Sequence, residues 1–143
     1  MSAKTLNLKR VFVYSIYNHL RNTPPKSYPT TGEIKETIST VLPALREHVN
    51  LYAELLTRAE SLSVKVAAKE LTEEESKKQI EAINVEWREY NGSHGQEVCA
   101  VSLSDEGFKT LRGQFEREGW GSTWTANLDE YAEMTEAFSK AGK

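Results

Sequence analysis

From Glu33 onward the apolar positions recur as Ile34, Ile38, Val41/Leu42, Leu45, Val49, Tyr52, Leu55/Leu56, Ala59, Leu62 and Val66. Steps of three and four place them on one face of a helix. Thr30 and Thr31 stand where a cap belongs, and Glu33 and Glu36 lie near the positive end of the helix dipole. Pro43 interrupts the chemistry but not the phase. It lacks a backbone N–H and crowds the preceding turn. The pattern therefore predicts either a continuous helix kinked at Pro43 or a break at Val41–Leu42, with Pro43 opening the next helix. A second helix is announced by Thr72-Glu73-Glu74-Glu75, which has the form of a capping box. Ile80, Ile83, Trp87 and Tyr90 follow at steps of three, four and three, and Gly92 is the expected stop.

The two runs predict an antiparallel hairpin, Glu33–Val66 with Glu73–Tyr90, around which the other elements pack. One unbroken helix over Glu33–Val66 would be roughly 50 Å long at ~1.5 Å per residue. A globule of this size has a radius of gyration of only about 14 Å. A hairpin also buries one face of each helix only. The stripe thus needs cover from Ile16, Phe108, Phe115, Phe138 or a second subunit.

Leu6–Asn22 supports two readings. Leu6, Leu8, Val11 and Val13 hint at strand alternation, whereas Leu8, Phe12, Ile16 and Leu20 fit a helical face. Length favours a helix from about Asn7. Residues 23–31, with Pro24, Pro25 and Pro29, read as an extended linker within a single domain spanning 1–143. Glu97–Leu103 (EVCAVSL) is the best strand. Val98, Ala100 and Ser102 lie on one side of it and Cys99, Val101 and Leu103 on the other. A lone strand needs a partner, either Leu6–Val13 or the same strand of a second copy. Ser104 caps the next helix, whose face is Phe108, Leu111 and Phe115. A last helix over Leu128, Tyr131, Thr135 and Phe138 starts at Asn127 or Thr125. The expected class is mainly α: the hairpin, a basic N-terminal helix, one short β-strand and two C-terminal helices.

Charge sharpens this picture. The 143 residues carry a net charge of −3. Residues 1–32 hold Lys4, Lys9, Arg10, Arg21 and Lys26 and no acid, giving +5. The remainder holds 13 basic and 21 acidic residues, giving −8. The arm either docks on the acidic body or binds nucleic acid. In the second case Lys9, Arg10, Tyr14, Tyr17 and Arg21 are the contacts, pairing with phosphate and stacking on bases. Trp120 and Trp124, in the run Gly119–Trp124, are either core or a partner contact surface, since Trp is enriched at binding hot spots.

Candidate chemistry is sparse. His19, His48 and His94 belong to no HxxxH or HExxH pattern, and the one cysteine, Cys99, excludes an internal disulfide and a thiolate cluster. The glycines form neither a P-loop nor a GxGxxG. VFVYSIY is too short for a signal or membrane segment. These features predict a cytoplasmic, non-enzymatic protein with no cofactor and no metal. It acts by protein–protein association and forms a homodimer, because the stripe and the strand both lack visible partners.

The order of features resembles small proteins of unknown function encoded in phage and prophage genomes. The resemblance lies in Leu6-Asn7-Leu8 and Ile16-Tyr17-Asn18-His19-Leu20, a long charged helical region over Leu45–Leu62, a second helix, and a short strand running into Ser-Asp-Glu over Val98–Glu106. It implies a phage origin and a binding role, and it assigns no role to any residue. The Trp120/Trp124 loop and the final helix lie outside it.

Overall fold

A computed structural model describes residues 3–118, 124, 125 and 127–142, apart from the side chain of Glu118. The chain runs β1 (Ala3–Lys9), α1 (Arg10–Asn22), α2 (Thr31–Glu36), α3 (Leu42–Arg46), α4 (Asn50–Ala67), α5 (Glu73–His94), β2 (Val98–Ser104), α6 (Asp105–Glu118) and α7 (Leu128–Ala141). It is mainly α, as the periodicity predicts, with a small two-stranded antiparallel sheet where the sequence predicts one short strand.

The opening run contains both of its readings in succession. Leu6 and Leu8 alternate inward as a strand. Phe12, Val13, Ile16, Tyr17 and Leu20 then take helical spacing and are buried. The helix begins at Arg10 rather than Asn7, so the single expected strand becomes two. β1 pairs with β2 from Ala3↔Ser104 to Lys9↔Val98.

The stripe from Glu33 is bent and broken elsewhere than at Pro43. Thr37–Val41 forms a wider π-helical turn in which the Leu42 N–H reaches the Thr37 carbonyl. This turn lies where the Pro43 ring would otherwise press on the carbonyl four residues back, so the helical path passes through Pro43. The break comes at residues 47–49. There the His48 and Val49 N–H groups donate to the Leu45 and Arg46 carbonyls, each 3.1 Å away. Val49 leaves helical geometry at φ −129° and ψ 27°. The hairpin is therefore Asn50–Ala67 with Glu73–His94.

That break lets the first half of the stripe fold over the sheet. Val41, Leu45, Val49 and Tyr52 join Leu6, Val101, Ile16, Phe108, Phe115, Met134 and Phe138 in one buried cluster. Ile16, Phe108, Phe115 and Phe138 thus share a core with the Val41–Tyr52 part of the stripe, while Ile38 stays 63 % exposed. β1 supplies the partner of β2 within the chain. A smaller cluster, Leu55, Leu62 and Ile83, forms the hairpin seam.

The caps match their sequence signals. Thr30, Asn127 and Ser104 accept from the N–H groups of Glu33, Glu130 and Gly107. Thr72 and Glu75 complete the capping box. The α5 stop differs from expectation, because the helix runs through Gly92 and ends at Gly95. A Cβ on Gly95 would fall 2.5 Å from both the carbonyl and the side-chain oxygen of Asn91, whereas one on Gly92 meets nothing within 4 Å. Gly92→Ala is expected to be neutral or to stabilise by up to about 1 kcal/mol, the ordinary helical gain. Gly95→Ala is expected to cost about 1–3 kcal/mol, as overpacking does. Urea unfolding of the two variants checks the opposite signs.

Candidate functional site

Alternation along the two strands gives the sheet a buried side and an open side. Leu6 and Leu8 of β1 and Cys99, Val101 and Leu103 of β2 face the core. Thr5 and Asn7 lie opposite Ser102 and Ala100, and all four are exposed. Val98 is 66 % exposed although it is a β-branched apolar residue. The open side is therefore small and uncharged until Lys9, whose ammonium pairs with Glu133 of α7 at 3.1 Å. α7 packs against β1. Between them lies a groove of about 410 Å³, lined among others by Thr5, Asn7, Lys9, Val98, Glu133 and Ala137.

The two long edges of the sheet differ. β1 carries Lys4 and Lys9 and is flanked by α7. β2 is VCAVSLS, seven residues without charge, proline or bulge, and no strand lies beyond it among the described residues. Its backbone groups on that side make no backbone hydrogen bond among the described residues. Natural sheets usually blunt a free edge with lysine, proline, a bulge or a covering element. β2 has no such residue, although α3, α6 and the π turn at Thr37–Val41 also contact it.

Lys9, Arg10 and Arg21 of the basic arm are engaged by their own chain. Lys9 pairs with Glu133 and lies 5.7 Å from the Phe12 ring centre. Arg10 donates to the carbonyls of His48 (3.0 Å) and His94 (2.9 Å) and to the Glu97 carboxylate (2.8 Å). Tyr14 packs among Tyr52 and Trp87, with ring centres 4.7 and 4.8 Å away, and burial pushes its phenol upward. Tyr17 is buried, with its hydroxyl 3.4 Å from Arg46. Arg21 pairs with Glu60 at 3.4 Å. These five residues have intramolecular partners, which favours the docked arm over the nucleic-acid surface.

The tryptophan pair divides. Trp124 is 1 % exposed and packs against His19 and Phe115, so its ring belongs to the core rather than to a contact surface. Trp120 lies outside the described residues.

The titratable groups gather where α1, α5 and the break at residues 47–49 meet. His94 Nδ1 hydrogen-bonds Glu97, and this bond foremost, followed by that from Arg10, holds the Glu97 carboxyl below its ordinary value. Burial keeps Cys99 a thiol by pushing its pKa up. Burial and the neighbouring Tyr90 raise Tyr52 to about 12, and its hydroxyl donates to Asn91 at 2.6 Å. The arrangement locks a chain junction, with both Glu97 contacts directed inward to that task. No group of three or more His, Cys, Asp or Glu that could hold a metal occurs among the described residues. No described helix is long and apolar enough to cross a membrane.

The open side of β2 was visible in the sequence as the alternation of Val98, Ala100 and Ser102. Its meaning was not, because an edge is defined only by what fails to lie next to it. No family model, curated protein or solved structure matches the chain.

Proposed function

We propose that this chain is a non-enzymatic association or assembly protein that engages a protein partner along the free side of β2. The observation that carries this reading is the outer edge of β2: seven uncharged residues whose backbone groups on the side away from β1 make no backbone hydrogen bond among the described residues, beside an exposed face that includes Val98. Such an edge pairs with extended backbone, and main-chain hydrogen bonds supply the affinity. A reducing cytoplasmic location suits the single, buried Cys99 thiol. The phage or prophage origin implied by the resemblance forms part of the same proposal.

A photo-crosslinking amino acid at Ala100 tests it in cells that naturally produce the protein, with one at Ser63 as an exposed control on α4. Protein adducts concentrated at position 100 are the expected result. Equal labelling at both positions, or adducts with nucleic acid alone, would overturn the reading.

A further inference from the structure

We propose that the α4–α5 hairpin is a hinged lid on the body of the protein, and that Arg10 is the clamp that keeps it closed.

The apolar side chains divide at the base of the hairpin. The main cluster reaches α4 at Tyr52 and Ala53. Leu55, Leu62 and Ile83 form a separate cluster, packed by Leu51, Ala59, Leu71 and Ile80 of the same hairpin. Trp87 packs against both clusters. The backbones of α4 and α5 lie chiefly against each other. The hairpin is also braced within itself. The Tyr52 hydroxyl donates to Asn91 at 2.6 Å, and Arg58 pairs with Glu86 at 2.8 Å. At the tip, the Glu70 N–H closes the turn onto the Lys65 carbonyl at 2.9 Å. The hairpin therefore moves as one piece.

The chain crosses between hairpin and body twice, at residues 47–49 and 95–97, and neither crossing is helical. Short segments at the ends of elements are where hinges absorb changes of φ and ψ. The Arg10 guanidinium bridges the two crossings. It donates to the His48 carbonyl on the first at 3.0 Å, and to the His94 carbonyl and Glu97 carboxylate at the second at 2.9 and 2.8 Å. The N–H groups of Arg10 and Val11 already fix the second crossing to α1. The guanidinium adds the tie to the first. Farther out, Arg21 pairs with Glu60 at 3.4 Å, but that pair is exposed and such pairs hold little. Between these two ties Tyr14 of α1 lies against Tyr52 and Trp87, with ring centres 4.7 and 4.8 Å away. Opening the lid parts Tyr14 from both rings and uncovers an aromatic surface, the composition found at binding hot spots.

The test is NMR of the full chain, with residual dipolar couplings measured for the hairpin and for the body (β1, α1, β2, α6 and α7). In the native chain one alignment tensor is expected to fit both. In Arg10→Ala the two parts should need separate tensors, with the hairpin couplings reduced together and each part still fitting its own structure. Arg10→Lys keeps the charge but cannot span both crossings, so it should loosen the lid in the same way and serves where the alanine variant does not fold. Arg21→Ala removes only the outer pair and should leave one tensor. A single tensor in the Arg10 variants would overturn the inference. Hairpin couplings that no longer fit the hairpin itself would also overturn it, because the element would then melt rather than turn.

Discussion

Trp124→Ala is expected to lower the unfolding free energy by about 3–5 kcal/mol, the usual cost of deleting a large aromatic from a core. The ring is 1 % exposed, sits 5.7 Å from Phe115 and 5.4 Å from His19, and belongs to the main buried cluster. Phe115 in turn stacks on Phe138 and Tyr131 at 4.8 and 5.4 Å. Removing the indole therefore leaves a void where α1, α6 and α7 meet, and well-packed neighbours collapse into such a void only in part. Trp124→Phe keeps an aromatic ring and should recover a substantial part of the loss. Urea unfolding measures both. A change below about 1 kcal/mol would mean that the indole is not core, and the sequence expectation of a partner contact would return. At a temperature where the alanine variant remains folded, crosslinking at Ala100 should persist, because Trp124 lies on the core side and not on the free side of β2.

The sequence announced features whose signals are local. Thr72 and Glu75 announced α5, Asn127 announced α7, and Ser104 announced α6, because a cap is a short-range hydrogen bond between a side chain and a backbone group three residues on. The spacing of Phe108, Leu111 and Phe115 marked a buried face. Non-local features were harder to read. Leu8 fits both the strand and the helix period, and only β2 lying beside it decides between them. Pro43 drew attention as the place for a break, yet the π turn absorbed it and the chain broke at Val49, a residue with no turn chemistry of its own. Position 49 breaks because Val41, Leu45 and Tyr52 are needed over the sheet while Leu55 and Leu62 are needed in the hairpin. Of the candidate site, the alternation of Val98, Ala100 and Ser102 was legible. That no second strand pairs with β2 among the described residues was not, since the sequence of β2 does not say how many neighbours it has.

The same distinction explains why Arg10 reads as a candidate nucleic-acid contact and folds as a tie. Arg10→Ala is expected to cost about 2–3 kcal/mol, in the range for hydrogen bonds made by a charged group whose acceptors are left unpaired. The guanidinium joins three parts of the chain. It holds the His48 carbonyl at the break before α4, the His94 carbonyl at the end of α5, and the Glu97 carboxylate that leads into β2. The α1 N-terminus adds to the same joint, because the N–H groups of Arg10 and Val11 donate to the Glu97 and Gly95 carbonyls at 2.8 and 3.0 Å. Two of the side-chain acceptors are backbone carbonyls, which every residue has, so no motif could reveal them. Arg10→Lys should recover less than half of the loss, since one ammonium cannot reproduce the planar fork that spans the acceptors. The effect carries a pH signature. Glu97 has its carboxyl held below its ordinary value by His94 first and Arg10 second, so its contribution is present above the unfolded value and fades as pH falls through the folded one. Removing Arg10 deletes one of the two bonds and lets the folded value rise toward the ordinary one. The stability gap between wild type and Arg10→Ala should therefore narrow on acidification below about pH 4.5, as read by thermal unfolding from pH 7 to pH 3. A gap that stays constant over that range would show that Arg10 acts through the two carbonyls alone. A gap near zero at neutral pH would mean that the arm is held by other contacts, and the basic face of α1 would again be available to a ligand.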